Sequence, residues 1–410
     1  MNRLVVVVGG GAAGFYCAIR LKELQNNLHV VLLEKTNKTL SKLRVSGGGR
    51  CNITHNCFDY SRLSTHYPRG AKFLKKAFRQ FGAQEFVEWI QSHGIQLKTE
   101  PDGRMFPITD NSETIAGFYE NYARKLGIEV LRNSSVNLIE QNKDLFTVKI
   151  NEQPDIIANF LVLASGGVSD PTKVSWLQSL KLDWIESSPS LFTFNANKEL
   201  KPKLSLLSGI SVPNAKVKFV GQKDEFKGPL LITHWGISGP AVLKSSAWMS
   251  RFLKERNYQH EILISWIGEI KEEETKRILS EFFSLHSKKK IENAVPFDIP
   301  NRLWTFLITQ SQIDSNAQVQ TLSSKNFNRL IENLIRFPYQ INGKTTFKEE
   351  FVTAGGIDLS QLVDETCEFK AIPNLFACGE ILDIDGITGG FNFQAAWTTA
   401  ELVAQGITKK

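Results

Sequence analysis

Apolar residues are grouped in two different ways along this chain, and the difference predicts its architecture. Near both ends they form short continuous runs, at Leu4–Val8, His29–Leu33 and Phe160–Ala164, with a further one inside Asn374–Glu380. Continuous apolar runs of this length are typical of buried strands in a parallel sheet. Phe15–Leu24 has helical spacing and follows the first run. The two ends therefore predict an α/β fold with a Rossmann-like parallel sheet.

The middle of the chain has a different pattern. Its first part contains strand-like runs, which lie at Leu191–Asn195, Ile210–Val220, Leu230–Thr233 and His260–Ile267. After these runs the spacing of apolar residues is helical as far as Phe337. We therefore expect residues 1–189 and 343–410 to form one domain, which is interrupted by a β-rich part at 190–268 and a helical part at 269–342.

The first apolar run leads into a glycine turn with the spacing Gly9-x-Gly11-x-x-Gly14. In dinucleotide-binding folds the first glycine permits a tight turn, the second lets a pyrophosphate approach, and the third lets the helix pack on the strand. Glu34 follows the second run, where a carboxylate can bind a ribose hydroxyl and repels a 2′-phosphate. This N-terminal nucleotide motif predicts FAD or NAD rather than NADP. A glycine-rich turn in an unrelated α/β domain is the alternative.

Two further glycine-rich segments could contact a flat ligand. Ser46–Asn52 reads SGGGRCN, and its small residues and amide donors suit a backbone that lies against a cofactor. Ser165–Gly167 follows the strand-like run that finishes at Ala164, as expected where a sheet edge touches a cofactor. A flexible surface loop and a plain tight turn are the respective alternatives.

A second nucleotide motif is predicted near the other end of the chain. Asn374–Glu380 is a short strand that ends in Gly379 and Glu380, and Thr388–Asn392 opens a final helix. The acid can bind ribityl hydroxyls, while the helix N-terminus faces the electron-rich edge of a flavin and stabilises charge on reduction. A dehydrogenase that uses only nicotinamide needs no second motif of this kind, so this C-terminal nucleotide motif favours FAD over NAD.

The composition is that of an ordinary globular protein with more than one domain. The 410 residues are 42% hydrophobic and 22% charged, and the five cysteines have no paired spacing. No apolar run is long enough for a membrane span, and the first one is a strand rather than a signal peptide. We therefore expect a cytoplasmic protein in a reducing setting. The net charge of +7 permits a nucleic-acid partner without requiring one.

One predicted helix, Ala71–Phe81, is amphipathic with a basic face. Its basic stripe consists of Lys72, Lys75, Lys76 and Arg79. Such a stripe can bind the phosphates of RNA, and a solvated helix face is the alternative interpretation.

The motifs taken together resemble those of the conserved bacterial flavoproteins of the BaiN/RdsA type, which are NAD(P)- and FAD-dependent oxidoreductases. The matching segments follow the order of that family and span nearly the whole sequence: GGGAAG at 9–14, SGGGRCN at 46–52, GRMFP at 103–107, THWGISGP at 233–240, TAGGI at 353–357 and CGEILDIDGITGGFN at 378–392. The chain departs from the family after Gly167, where the family has a longer glycine-rich run and this chain reads Val168–Val174. The resemblance therefore does not predict the shape of the pocket rim.

The resemblance implies a two-dinucleotide-binding-type FAD domain made from both ends of the chain, with the inserted β-rich and helical parts over the flavin ring. Val136 would meet the adenine through its backbone, while Glu380, Asp385, Phe391 and Asn392 would serve the ribityl and ring end. The candidate FAD contacts are Gly9, Gly11, Ala13, Gly14, Glu34, Lys35, Arg44, Ser46, Gly47, Gly48, Asn52, Val136, Ala164, Gly166, Gly379, Glu380, Asp385, Gly390, Phe391 and Asn392.

FAD with a reductant implies hydride transfer, and members of this family are linked to saturating an activated C=C bond. That bond belongs to a uridine of 23S ribosomal RNA, which gives dihydrouridine, or to a steroid-like enone. We predict the RNA reaction, with NADPH or NADH binding transiently because the chain has no second complete GxGxxG motif. A small-molecule ene-reductase and a flavin-bearing RNA-binding factor without turnover are the alternatives.

A histidine and a pair of cysteines are further candidates for chemistry, and no metal site is predicted. His234 lies beside Trp235 in a glycine-rich loop and is the candidate polar group above the flavin, unless it is a satisfied structural histidine. Cys51 and Cys57 invite comparison with disulfide reductases. Their five-residue gap differs from the four-residue gap typical of that class, so we interpret both as plain small residues.

Overall fold

A computed structural model describes residues 3–345 and 352–410 of the chain. The chain divides into two compact units, which are Met1–Ser190 together with Lys348–Lys410, and Leu191–Phe347. The strands of the first unit are β1 Leu4–Val8, β2 His29–Leu33, β3 Thr54–His55, β4 Leu97–Thr99, β5 Arg104–Pro107, β6 Glu129–Leu131, β7 Val136–Asn142, β8 Leu145–Ile150, β9 Ile156–Ala158, β10 Phe160–Leu163, β11 Trp184–Ser190, β18 Val352–Ile357 and β19 Leu375–Ala377. Its helices are α1 Ala12–Leu24, α2 Ser41–Gly49, α3 Tyr60–Ser64, α4 Ala71–Ala77, α5 Ala83–Ser92, α6 Ser112–Lys125, α7 Ser175–Leu180 and α14 Phe391–Thr408.

The first unit is organised around a parallel sheet with the strand order β19-β10-β1-β2-β6. Val6 of β1 pairs with Leu161 on one side and with Val31 on the other. Val5–Val7 are fully buried, which is why β1 is a continuous apolar run rather than an alternating one. α1 and α14 pack against each other. The Rossmann-like sheet made from both ends of the chain is therefore confirmed.

The first unit also contains antiparallel sheets with the orders β3-β5-β4, β7-β8-β9 and β11-β18. β11 was not predicted from the sequence, because Pro189 and several serines make Trp184–Ser190 a poor strand pattern. β11 pairs with β18, which places Ser190 opposite Val352. Phe351, which begins the TAGGI-containing run in the sequence, lies outside the described residues.

The second unit combines a closed β-barrel with helices. Its strands are β12 Thr193–Ala196, β13 Ser211–Phe219, β14 Glu225–Ile232, β15 Gly236–Ser238, β16 Gln259–Ser265 and β17 Phe337–Thr345. Its helices are α8 Lys201–Ser205, α9 Pro240–Trp248, α10 Ser250–Glu255, α11 Glu272–Leu285, α12 Asn301–Gln310 and α13 Ser324–Ile335. The barrel order is β12-β15-β14-β13-β16-β17, and one apolar core that includes Trp266 and Trp304 joins strands and helices. Within residues 3–345 and 352–410, no helix is long and apolar enough to cross a membrane.

The strand β17 corrects one boundary of the sequence analysis, which extended the helical part to residue 342. Phe337, Tyr339 and Ile341 are buried and alternate with exposed residues, so this stretch is a strand of the barrel. The helical spacing of α13 runs almost directly into this alternation and hides it. The division of the inserted residues into a β-rich part and a helical part stays a prediction.

Candidate functional site

Gly9 and Gly14 form the turn between β1 and α1, and the structure shows why both are glycines. Gly9 has a φ of +122°, and a Cβ built on it would lie 2.3 Å from the carbonyl oxygen of Ala164. A Cβ on Gly14 would lie 2.0 Å from the carbonyl oxygen of Gly9. Gly14 therefore permits the close approach of α1 to the end of β1, and Gly9 permits the tight turn against the residues that follow β10.

Gly11 lies in the same turn but is glycine for a different reason. A Cβ on Gly11 would meet no described atom within 4 Å, so the protein leaves space beside it. Its carbonyl oxygen accepts a hydrogen bond from Phe15 N, and Gly11 is thus the residue that caps the N-terminus of α1. Open space at a helix N-terminus is what a pyrophosphate needs, since backbone N–H groups there act as donors.

Glu34 stands directly after β2, and two backbone N–H groups and one hydroxyl hold its carboxylate in place. Oε2 accepts a hydrogen bond from Gly10 N at 3.0 Å, and Oε1 accepts from the N and Oγ1 of Thr36, both at 2.9 Å. Carboxylate oxygens have further lone pairs, which can accept from ribose hydroxyls. Glu34 and Lys35 both line the cavity beside this turn, where the sequence predicts the adenosine half of a dinucleotide.

That cavity has a volume of about 460 Å³, which is within the range of small-molecule sites. Val136, the predicted adenine contact, is in its wall. Ser165 also lines the cavity, and its buried Oγ has no hydrogen-bond partner among the described residues. A buried hydroxyl without a partner is expected where a polar ligand completes the bonding. The cavity and the space at Gly11 therefore fit an adenine dinucleotide.

Several residues of this wall were not predicted from the sequence. Ser134, Asp170 and Trp176 line the cavity. Asp170 belongs to the segment where the chain departs from the family's glycine-rich run, and Trp176 follows that segment. α7, which carries Trp176, packs against β7. No sequence signal marks these residues, because only the packing of separate elements brings them to the cavity.

The loop Ser46–Asn52 departs from helical geometry. α2 has non-helical dihedral angles at Ser46, where ψ is 147°, and Gly47–Gly49 have φ angles of +58°, +69° and +82°. A Cβ on Gly48 would meet no described atom within 4 Å, so its backbone is open to a ligand. Cys51 is buried in the left-handed region, and its N–H donates to the Ser46 carbonyl at 3.0 Å.

The N-terminal and C-terminal nucleotide motifs meet at one place in the first unit. Gly379 has a φ of +78°, and a Cβ on it would lie 2.7 Å from the Cβ of Ala13. In the orientation of the Asn52 amide that satisfies both of its ends, Oδ1 accepts from Gly390 N at 3.0 Å. The N-terminal nucleotide motif thus contacts the residues that follow β19. The loop Ser46–Asn52 is hydrogen-bonded to the start of α14.

Protein groups already bind the two carboxylates predicted for the ribityl end. Glu380 forms an ion pair with Lys42 at 2.6 Å. Asp385 is completely buried, and it forms an ion pair with Arg69 and accepts a hydrogen bond from Ser190 Oγ at 2.7 Å. Asp385 is therefore half of a buried ion pair, which the sequence analysis missed, and its contact with a cofactor stays a prediction.

Phe391 opens α14 and belongs to an aromatic cluster that the sequence analysis missed. Its ring stacks on His66, with 4.3 Å between centroids, and on His55, with 4.5 Å. Burial lowers the pKa of His55, whose Nδ1 lies 3.0 Å from a backbone carbonyl oxygen just before α14. The Asn392 amide bonds both the N–H and the carbonyl of Gly386, at 2.8 and 2.9 Å. These contacts fix the turn that leads into α14.

Three other predicted contacts lie in the first unit as well. Arg44 pairs with Glu113 and with Glu120, and the hydrogen bond to Glu113 raises the pKa of Arg44. Ala164 is buried directly after β10, where its carbonyl oxygen faces Gly9. Gly166 has a φ of +77° in the turn that follows.

His234 lies in the second unit, in the loop between β14 and β15. Its side chain is exposed, and its carbonyl oxygen accepts a hydrogen bond from Ser205 Oγ at 2.8 Å. Its place above the flavin stays a prediction.

The thiols of Cys51 and Cys57 lack the activation that disulfide exchange needs. Burial raises the pKa of Cys51 to about 12 and also raises the pKa of Cys57. Because the thiolate is the nucleophile in disulfide exchange, these environments oppose that chemistry. They favour the interpretation of both cysteines as small buried residues.

The basic stripe lies partly on a shorter helix than predicted, because α4 ends at Ala77. Two of its four cations have partners within the first unit. Lys76 pairs with Asp364 at 2.5 Å, and Arg79 lies over the ring of Tyr60 at 5.1 Å. The other two cations are exposed.

The parallel sheet and the two nucleotide motifs that meet beside it define a flavoprotein oxidoreductase of the Rossmann class. Within that class, the chain belongs to the family described as HI0933-like protein Rossmann domain, which matches residues 3–406. The family resemblance found in the sequence motifs is thereby confirmed.

Named relatives cover the whole chain. It is 28% identical over 406 residues to the ribosomal RNA dihydrouridine synthase of Escherichia coli (strain K12). That alignment covers 98% of this chain and 96% of the relative. It is 23% identical over 418 residues to the 3-dehydro-bile acid delta(4,6)-reductase of Clostridium scindens, with 100% of both chains covered. Among solved structures, the 3-ketosteroid delta1-dehydrogenase from Sterolibacterium denitrificans matches with a TM-score of 0.52 at 14% identity, again over 100% of both chains. That likeness shows the fold.

Proposed function

We propose that this protein is an FAD-dependent oxidoreductase that reduces a uridine of 23S ribosomal RNA to dihydrouridine, with NADPH or NADH as the reductant. The observation that carries the flavin part is the contact between Ala13 and Gly379, which brings both nucleotide motifs to one place. The relative named as a ribosomal RNA dihydrouridine synthase, which matches over nearly the full length, supports the choice of substrate.

The first unit contains the groups that would hold FAD. Glu34 would accept from the adenosine ribose, and the N-terminus of α1 at Gly11 would bind the pyrophosphate. Ser165 Oγ would complete its hydrogen bonding on the ligand, and Val136 would contact the adenine. The open backbone at Gly48 would lie along the cofactor.

Bound FAD supplies a hydride carrier between the nicotinamide and the substrate. Saturation of a C=C bond adds one hydride and one proton, so the protein must also deliver the proton. The N-terminus of α14 would stabilise negative charge at the ring end through the helix dipole. We propose His234 as the proton donor, because it has an exposed side chain beside Trp235 in the glycine-rich loop between β14 and β15.

A small-molecule enone reductase is the second candidate, and the bile-acid reductase relative favours it. Both reactions saturate an activated C=C bond, so the flavin site alone does not separate them. The RNA reaction has the additional support of the basic net charge of +7.

Two measurements test the proposed function. Anaerobic NADPH or NADH should bleach the flavin absorbance of the purified holoprotein. Mass spectrometry of 23S ribosomal RNA from a strain without this gene should show one uridine that has lost its two additional hydrogens, and the wild-type gene should restore them. Unchanged RNA together with turnover of an enone would replace the proposal with the second candidate. A flavin that neither nicotinamide bleaches would instead indicate an RNA-binding factor without turnover.

A further inference from the structure

The excess of positive over negative charge in this chain belongs to its second unit. Leu191–Phe347 contains 22 lysines and arginines against 14 aspartates and glutamates, a net charge of +8. The first unit contains 27 against 28, a net charge of −1, even though it carries the basic stripe. The excess that would attract a polyanion is therefore a property of the second unit alone.

Many cations of the second unit are neutralised by nearby acids. Lys216 lies 3.2 Å from Glu225, and Lys227 pairs with Glu269. Arg277 pairs with two glutamates of its own helix, α11. Exposed pairs of this kind leave little net field for a partner. The net positive charge of the second unit must therefore come from cations that have no acidic partner.

Such cations are found around α8, where three elements meet. Ser205 Oγ donates to the carbonyl oxygen of His234 at 2.8 Å, which joins α8 to the loop between β14 and β15. Lys203 Nζ lies 3.4 Å from Gln310 Oε1 of α12. Arg302, also on α12, donates to the carbonyl oxygen of the residue that follows α8.

The exposed side chains on and around these contacts form the α8 surface, which consists of Lys198, Lys201, Lys203, Leu206, His234 and Arg302. None of its lysines or its arginine forms an ion pair with any residue in the described ranges. The acids nearest to them in sequence are Glu199 and Asp298. Leu206 is 75% exposed, and Trp235 is partly exposed beside His234. The surface thus combines cations that form no ion pair among the described residues with apolar and aromatic groups.

We infer that the α8 surface binds the sugar–phosphate backbone of the RNA substrate, an inference that rests on the proposed function. Phosphates bind clustered lysines and arginines with release of counterions. Unpaired RNA bases stack on exposed aromatic rings, and Trp235 supplies a partly exposed ring at this surface. The assignment also gives a role to the first residues of the THWGISGP segment, which the nucleotide motifs do not include.

The test compares two matched removals of charge. K201Q/K203Q removes two positive charges from the α8 surface, and K72Q/K75Q removes two from exposed positions of the basic stripe. The affinity of the FAD-loaded protein for purified 23S ribosomal RNA is measured over a range of salt concentrations. Each phosphate contact with single-stranded RNA contributes about 0.7 to the slope of log affinity against log salt, so K201Q/K203Q should lower the slope by about 1.4. K72Q/K75Q should lower it by less than half as much.

The results distinguish a failure of the α8-surface inference from a failure of the proposed function. A wild-type slope in K201Q/K203Q, or an equal or larger reduction in K72Q/K75Q, overturns the inference. RNA binding that depends on the α8 surface without any dihydrouridine in the deletion assay keeps the surface and rejects the reaction. A wild-type protein that does not bind RNA rejects both. Flavin content and thermal unfolding should match the wild type in both variants, because all four lysines are exposed.

Discussion

At the scale of single residues, Gly14 and Gly11 have separable roles in the fingerprint turn. Alanine at Gly14 puts a Cβ 2.0 Å from the carbonyl oxygen of Gly9, so α1 has to move away from β1. We expect Gly14→Ala to lower the free energy of unfolding by about 1–3 kcal/mol, the usual cost of overpacking, and to lower FAD content. Thermal unfolding of the apoprotein and flavin absorbance of the purified protein measure the two effects.

Gly11→Ala is the matched control, because its Cβ would meet no described atom within 4 Å. Its φ of −88° and ψ of −170° suit alanine, so the apoprotein should be as stable as the wild type. The affinity for FAD should nevertheless fall, since the methyl group occupies the space of the pyrophosphate. Equal losses of apoprotein stability in the two variants would contradict this division of roles.

The cysteine nearest the glycine-rich loop gives a third prediction at this scale. With a pKa of about 12, the Cys51 thiol stays protonated near neutral pH, and iodoacetamide should not label it in the native protein at pH 8. The unfolded protein should be labelled. Peptide mass spectrometry distinguishes the two states. Labelling of native Cys51, or loss of flavin reduction in Cys51→Ser, would revive the disulfide-reductase interpretation.

Residue chemistry was predictable from the sequence where it is local. The glycines of the fingerprint turn and Glu34 work through neighbours a few positions away or at fixed offsets, so their spacing reveals them. Asp385 is different, because its partner Arg69 lies 316 positions away and only the fold makes them an ion pair. Its carboxylate therefore looked available for a ligand in the sequence.

At the scale of elements, α1 and α14 are joined by a polar cluster. Glu401 of α14 accepts from Tyr16 Oη at 3.1 Å and pairs with Arg20 at 2.7 Å. Glu401→Ala would leave a mostly buried guanidinium without this partner. Arg20 is 18% exposed and keeps its contact with Glu23, so we expect a loss of about 3 kcal/mol, the lower end for a broken buried pair. Urea unfolding measures this loss.

Glu401→Gln is the conservative control for this prediction. It retains an acceptor oxygen for the Tyr16 hydroxyl, so it should destabilise the protein clearly less than Glu401→Ala. Equal losses would mean that the charge, rather than the hydrogen bonds, holds the two helices together.

Elements with a pattern of their own were predictable, and those defined by their partners were not. β1, β2 and β10 are continuous apolar runs, and the sequence alone identifies them. β15 has three residues in a glycine-rich segment, and only its pairing with β12 and β14 makes it a strand. The same dependence on a partner explains why β11 was missed.

At the scale of the whole molecule, FAD is expected to stabilise the fold. A ligand that binds only the folded state at 100 times its dissociation constant adds about 2.7 kcal/mol to the free energy of unfolding. The apoprotein should therefore unfold at a lower temperature than the FAD-loaded protein, as differential scanning calorimetry can measure. NADH alone at the same concentration as FAD should raise the unfolding temperature less, because a ligand that binds more weakly stabilises less at equal concentration. Equal stabilisation by NADH would contradict the preference for FAD.

The distribution of charge shows what a sum over the sequence conceals. The net charge of +7 and the basic stripe together pointed to α4 as the surface for RNA. Only the division into units assigns the excess to Leu191–Phe347, and only the contacts around α8 show which cations lie together. The periodicity of one helix predicts its own face, whereas a surface built from several elements has no signature in any of them.

The contact between Ala13 and Gly379 also means that the first unit cannot finish folding until nearly the whole chain has been synthesised. During synthesis, the fingerprint turn leaves the ribosome early, and the whole second unit must follow before Gly379 appears. Until then β10 lacks β19 and exposes an open strand edge, and the glycine-rich loop lacks its partner at Gly390. An exposed edge of this kind invites wrong pairing with other chains. The nascent protein thus passes through a stage at which one edge of the parallel sheet and one side of the nucleotide-binding site lack their partners.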